Sequence, residues 1–240
     1  MTSYDAVHDR VSRLYEDPAA LGISLSMRLD PVEILSPSDR FMPIEECGDE
    51  LVGLDPSLFD LDVFHHFGFE RQRPRVRTTL DRRLCEVDDL LPPPFHLVII
   101  EGWRSRERQE LLHGLASEAA GAEASSFAAD PDAPGGIVPP HSTGGAVDVT
   151  LGCEGAPLAL GCAVGTYDDR AHLAALEASG REPGRALRRL LYWTMRRAGF
   201  VGIREEWWHY SLYDQEWAAQ TGAPAARYGS IEWNGGSCGG

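Results

Sequence analysis

Two short segments concentrate the groups that can do chemistry. The first, 139-PPHSTGGAVDVTL-151, carries His141 and Asp148, and the second, 204-REEWWHYS-211, carries Glu205, Glu206, Trp207, Trp208 and His209. His141 and Asp148 are seven positions apart, and in a straight strand an odd offset puts two side chains on opposite faces. Gly144 and Gly145 lie between them, and glycine permits a turn or bulge that swings His141 back over Asp148. An aspartate on an otherwise apolar, alternating strand is costly to bury, and a bound cation removes that cost. Glu206 and His209 are three positions apart, so one can meet a metal while the other approaches a water from the side. His141, Asp148 and His209 form a set of two imidazoles and one carboxylate, the ligand count of a catalytic zinc with one position left open. Zinc lowers the pKa of a bound water towards neutrality. Glu206 is then placed to take that proton and pass it to a leaving amine.

Each of these residues also has a plainer reading. His141 fits a loop histidine, Asp148 a capping or turn-bonding aspartate, and His209 a hydrogen-bonded core histidine. Trp207 and Trp208 fit core packing, which at least one of them is expected to supply. The other reading of the tryptophans is that they wall off a dry pocket around His209 and Glu206.

The elements that must position these groups are legible in part. Residues 4–16 read as a short helix, and 17–75 are irregular, with short strands near 40–45 and 50–53. Leu80, Leu84, Val87 and Leu91 form an amphipathic stripe over 76–91, which Pro92, Pro93 and Pro94 end. The segment 96-HLVIIEG-102 reads as a buried strand, Ser105 as the cap of a following helix, and Leu111, Leu112 and Leu115 as that helix's inner face. Residues 121–140 form a long loop rich in Ala, Ser, Pro, Gly and Asp. Residues 145–151 alternate as a strand with Val147, Val149 and Leu151 on one face. A helix over 183–198 has Leu187, Leu190, Leu191 and Met195 inside and Gly199 at its end, and 206–212 alternate again as a strand. Helices and strands do not alternate as they do over a parallel sheet. The expectation is a single α+β domain over 1–240, with a mostly antiparallel sheet flanked by helices and the metal site on the sheet. The tail 235–240 is expected to fray.

Composition narrows the function. The formal net charge is −15, which disfavours nucleic acid and anionic membrane surfaces as partners. The longest apolar run, 95-FHLVII-100, is far short of a membrane span. The N-terminal stretch is polar and amphipathic rather than basic and then apolar, so the expectation is a cytoplasmic protein. The five cysteines lack CxxC spacing and read as reduced thiols, a Cys153–Cys162 bridge being the lesser alternative.

The run H-S-T-G-G-A-V-D, followed at a distance by E-W-W-H, resembles the D-alanyl-D-alanine dipeptidase family, zinc metallopeptidases related to the D,D-carboxypeptidases of peptidoglycan metabolism. The family pattern H-x-x-G-x-A-x-D … E-x-W-H fits at His141, Gly144, Ala146, Asp148, Glu206, Trp208 and His209. Residues 101-EGWR-104 look like the family's G-Y-R segment, 164-VGTYDD-169 like its G-T-x-F-D segment, and 221-TGAPAARYG-229 like the C-terminal run of its actinobacterial-type members. The resemblance spans residues 75–230.

This resemblance implies roles. His141, Asp148 and His209 would hold Zn2+, with Glu206 as general base and then acid. Arg104 would donate to the oxyanion, with Arg106 a nearby competitor. Asp168 or Asp169 would grip the free amino group of a dipeptide, the competing role for either being a helix N-cap. Trp208 would face the substrate. The chain also departs from the pattern: Pro139 stands where the family has a substrate-contacting serine, Ser105 where it has proline and Trp103 where it has tyrosine, and 17–75 match nothing in it. The implied activity is zinc-dependent hydrolysis of a small D-configured dipeptide such as D-alanyl-D-alanine. Alternatives are a related amide or dipeptide hydrolase recruited to a biosynthetic pathway and a zinc-binding relative without turnover. The implied partner is the small dipeptide, and association into homo-oligomers stays open.

Overall fold

The computed structural model describes residues 4–35, 41–54, 74–121, 127–133 and 135–232. Residues 36–40 and 55–73 of the unplaced 17–75 region, part of the 121–140 loop, and the 235–240 tail with Cys238 lie outside these. An N-terminal helix α1 (Tyr4–Ser12) is followed by a small antiparallel pair, β1 (Leu51–Gly53) and β2 (Arg75–Arg77). Helix α2 (Thr78–Leu90), strand β3 (Phe95–Glu101) and helix α3 (Arg106–Ala120) come next. A 3-10 turn (Pro140–Thr143) leads into β4 (Ala146–Cys153) and the short β5 (Ala156–Pro157). The chain continues through α4 (Ala175–Ser179), α5 (Gly184–Arg197), β6 (Val201–Gly202), β7 (His209–Ser211) and α6 (Gln215–Thr221).

The main sheet runs β3-β4-β7-β6, with β5 also paired to β4, and every pairing in it is antiparallel. Helices α2 and α5 pack on each other and against β3 and β4 respectively. The fold is therefore α+β, an antiparallel sheet flanked by helices. Leu80, Leu84 and Val87 of α2 and Leu187, Leu190, Leu191 and Met195 of α5 are buried as their helical spacing predicts. They share one core with Val147, Val149 and Leu151. All eight residues of β4 are buried, so the strand is covered on its Asp148 face as well as its valine face.

Two expectations need correction. The inner face of α3 is Gln109, Leu112 and Ala116, while Leu111 is 48 % exposed. Gln109 can be buried because its amide is satisfied: its oxygen accepts from Arg104 Nη1 and its nitrogen donates to the Ala129 carbonyl. The C-terminal strand is also shorter than the alternation over 206–212 suggests. The Trp207 amide donates to the Ala171 carbonyl instead of joining the ladder, so the extended pairing starts at His209. Cys153 and Cys162 are free thiols. Among the described residues no helix is long and apolar enough to cross a membrane.

Two features of the sheet set up a site. The β3–β4 register slips between Ile99 and Glu101, placing Glu101 opposite Asp148, and Asp148 in turn is opposite His209 on β7. Directly opposed residues share a face, so three strands present Glu101, Asp148 and His209 in one row. Gly102 follows at a point of close backbone approach: a Cβ there would lie 2.4 Å from the Arg75 carbonyl oxygen. That carbonyl accepts from the Trp103 amide at 2.6 Å, so β2 and the end of β3 cannot separate to make room without losing this bond. Gly102→Ala is expected to destabilise the fold by about 1–3 kcal/mol, read as a lower urea midpoint at unchanged m-value. An unchanged midpoint would contradict this packing.

Candidate active site

Gly144 turns the chain between the two N-terminal ligand candidates. It has φ 68°, in the left-handed region that glycine enters without cost, and it caps the 140–143 turn. The turn brings His141 back over Asp148 in spite of the odd offset. His141 Nε2 lies 3.2 Å from Asp148 Oδ1, His209 Nδ1 lies 3.1 Å from the same oxygen, and the two ring nitrogens are 3.1 Å apart. The rings meet edge to face at 77°. All three side chains are buried.

His141 is braced from behind. Its Nδ1 is 2.8 Å from the Gly102 carbonyl oxygen, which can only accept, so Nδ1 carries a proton and the ring is oriented with Nε2 towards the cluster. The Arg104 amide donates to the His141 carbonyl at 3.1 Å, a second brace from the same segment. Burial pushes Asp148 up, but the adjacent imidazoles of His141 and His209 outweigh it and hold the carboxyl below its usual range, so it is ionised. Nitrogens of two imidazoles and an oxygen of a carboxylate therefore converge at a largely buried point. That donor set suits a divalent cation, and these three are the described residues whose ligand atoms cluster closely enough to hold one.

Glu206 stands beside the cluster, its carboxylate 3.9 Å from His209 Nδ1. Burial, then the charge of Asp148, raise its pKa well above the ordinary carboxyl value, and Arg104 pulls the other way. Arg104 is held on three sides. Its Nε and Nη2 donate to the two oxygens of Glu101 at 3.0 and 2.9 Å, and its Nη1 donates to Gln109 at 2.8 Å. The same Nη2 lies 3.7 Å from Asp148 Oδ2. Glu101 also pairs with Arg108 at 2.6 Å. Burial opposes its ionisation, but Arg104 and then Arg108 hold it below the usual carboxylate range.

These groups open onto a cavity of about 400 Å3 whose lining includes Arg104, His141, Asp148, Glu206, Trp208 and His209. Part of the 121–140 loop lines it too, through Phe127–Asp130, Ala133, Ile137 and Val138. Gln215 of α6 ties that loop in place, accepting from the Val138 amide and donating to the Met42 carbonyl. Trp208 faces the cavity, whereas Trp207 is core: its indole N–H points at Cys162 Sγ and the Arg188 guanidinium lies over its ring.

Asp168 and Asp169 do not join the others. Asp168 is paired with Arg170 at the surface and the Asp169 side chain is fully exposed, so neither lines the cavity. Tyr167, one residue earlier, does. The Asp168 oxygen accepts from the Arg170 amide two residues on, a local turn bond that keeps the carboxylate outside. Arg106, the competitor to Arg104, is also outside, paired with Glu110 and Asp132. Spacing did not single out Glu101, Gln109 or Tyr167. The signal for Glu101 was a lone carboxylate ending an apolar strand, which a buried arginine partner explains.

A buried His–Asp–His cluster that could hold a metal ion, beside a carboxylate of raised pKa, has the make-up of a hydrolytic metal centre. Comparison with known proteins carries this to a family. The model of the D-ala-D-ala dipeptidase family of M15 peptidases matches residues 96–225, and the chain belongs to that family. A D-alanyl-D-alanine dipeptidase from Synechocystis sp. is 36 % identical over 92 residues, covering 34 % of this chain and 37 % of the relative. The match thus spans well under half of that relative's length. A solved structure of the vancomycin-resistance D,D-pentapeptidase VanY from a VanB-type cassette, in complex with Zn(II), aligns over 79 % of this chain and 90 % of its own, at a TM-score of 0.43 and 17 % identity.

The geometry predicts the metal behaviour of variants. His209→Ala should abolish tight zinc binding, leaving far less than the roughly one equivalent expected of the wild type after dialysis. Asp169→Ala should leave zinc content unchanged. Elemental analysis of the purified proteins decides both, and full occupancy in His209→Ala would remove His209 from the ligand set.

Proposed function

We propose that the protein is a zinc-dependent dipeptidase acting on a small D-configured dipeptide, with D-alanyl-D-alanine the leading candidate. The observation that carries this is the convergence of His141, Asp148 and His209 beside Glu206 in one cavity. Family membership supports the reaction class. The cavity volume of about 400 Å3 suits a small ligand rather than a folded or polymeric one.

His141, Asp148 and His209 are the residues that would hold the zinc. When bound there, zinc supplies Lewis acidity, lowering the pKa of a water and polarising a carbonyl. Glu206 takes a proton from the attacking water and delivers it to the departing amine nitrogen. Arg104 donates to the carbonyl oxygen as negative charge gathers there, its fork already fixed by Glu101 and Gln109. Trp208 excludes water from the reacting groups. The substrate's amino group meets Asp130, Glu205 and Glu216, the remaining carboxylates of the cavity lining. A second reading, a different small amide in place of D-alanyl-D-alanine, draws support from Pro139, which replaces the family's substrate-contacting serine and has no side-chain donor.

The test is zinc analysis of the purified protein together with hydrolysis of a panel of D,D and L,L dipeptides. Turnover of D-alanyl-D-alanine with stoichiometric zinc supports the dipeptidase, and zinc without turnover of any dipeptide or amide would sink it. Glu206→Gln is expected to keep its zinc and lose about 10²–10⁴-fold in kcat. A near-normal kcat in that variant would show that the base is another group. Arg104→Ala should lower kcat more than it raises KM, as expected for a contact made mainly in the transition state.

A further inference from the structure

The turn at 165–167 places in the cavity a side chain that the mechanism above leaves unused. Tyr167 lines the same space as Arg104, Glu206 and His209. Its ring is held between two others, stacked on Tyr4 at a centroid distance of 5.2 Å and tilted against Phe127 at 5.6 Å. Its backbone is held as well: the Tyr167 amide donates to the Tyr4 hydroxyl at 3.0 Å, and that hydroxyl donates to the Gly165 carbonyl at 3.3 Å. One turn further along α1, His8 Nε2 is 3.1 Å from Thr166 Oγ1. Helix α1 lies outside the 96–225 stretch that the family model covers, yet it fixes the position of a cavity residue. A side chain clamped in this way has lost its freedom before substrate arrives, so a contact from its hydroxyl costs little ordering entropy on binding.

Burial, and then the charge of Glu206, push the Tyr167 phenol above its ordinary range while Arg104 acts in the opposite sense. The O–H is therefore intact at any pH at which the enzyme would work, and it lies within electrostatic reach of both reacting groups. Glu206 and Arg104 flank the place where the scissile carbonyl must sit, since one serves the attacking water and the other the carbonyl oxygen.

We propose that Tyr167 is a further catalytic residue, whose phenol O–H donates a hydrogen bond to the scissile carbonyl oxygen as negative charge develops on it, alongside Arg104. Tyr4 is its positioning residue. The tyrosine keeps its proton throughout and forms no covalent bond. The water oxygen bonds to the carbonyl carbon, the C–N bond breaks, and Glu206 alone carries the proton between water and amine. The inference rests on the proposed hydrolysis and adds a donor that the motifs did not supply.

The test compares wild type, Tyr167→Phe, Tyr4→Phe and the double variant, all zinc-loaded, on the best substrate of the dipeptide panel. Tyr167→Phe is expected to lose about 10²-fold in kcat while KM, zinc content and melting temperature stay near wild type. Its affinity for a phosphinate dipeptide, a tetrahedral mimic, should fall by a similar factor while product binding is unchanged. Tyr4→Phe should lose less, and nothing further when Tyr167 is already Phe, because it acts through that residue. A kcat within about twofold of wild type in Tyr167→Phe, or a higher KM alone, would overturn the inference and leave the hydrolysis standing. A wild type that hydrolyses no dipeptide or amide and ignores the phosphinate would overturn the proposed function and this inference with it.

Discussion

The structure depends on one expensive group, the carboxylate of Asp148. It sits in the middle of a strand on which every residue is buried, a position where an isolated charge costs several kcal/mol. The protein does not let it neutralise. Two imidazoles face one of its oxygens, and Arg104 lies 3.7 Å from the other. The surrounding architecture brings those partners in from β7, the segment just after β3 and the 140–143 turn, and a charge this deep finds its compensation either in such partners or in a cation.

The bracing follows from that need. A bulge near the end of β3 puts Glu101 level with Asp148, and Glu101 then orients Arg104 and Arg108. The next residue, Gly102, lends its carbonyl to His141 Nδ1, and Arg104 lends its amide to the His141 carbonyl. Three residues of the 101–104 segment thus brace His141 and fix Arg104 beside Asp148. Few of these contacts depend on long flexible side chains finding each other in solvent. They are backbone and fork contacts within packed surroundings, the kind that hold a site to fractions of an ångström.

How much of this the sequence discloses depends on whether a feature is local. The stripe Leu187, Leu190, Leu191, Met195 reads as a helix face because the spacing of four residues along one chain decides it. The return of His141 over Asp148 was also readable, since two adjacent glycines announce that the odd offset need not hold. The inner face of α3 was misread through Leu111, because burial of Gln109 depends on Arg104 and Ala129, partners from elsewhere in the chain that no periodicity reveals. The acidic pair Asp168 and Asp169 failed for a related reason. A single inserted position decides which of three neighbours faces inward, and here the contact between α1 and the 165–167 turn decides in favour of Tyr167. The slip that aligns Glu101 with Asp148 is likewise a property of two strands together and is written in neither alone.

Charge balance ties the His141–Asp148–His209 cluster to Glu206. The buried groups around the cluster include three carboxyls, Glu101, Asp148 and Glu206, and two guanidiniums, Arg104 and Arg108. With Glu101 and Asp148 ionised, the two arginines already neutralise them, and a third negative charge has no partner. Burial and then the charge of Asp148 accordingly raise the Glu206 pKa well above the ordinary carboxyl value. A divalent cation among His141, Asp148 and His209 changes that balance, because Glu206 can then ionise and still leave the site with a net positive charge. Cation binding and loss of the Glu206 proton are thus coupled, each favouring the other. The residual positive charge is the right sign for a carbonyl oxygen on its way to becoming an oxyanion.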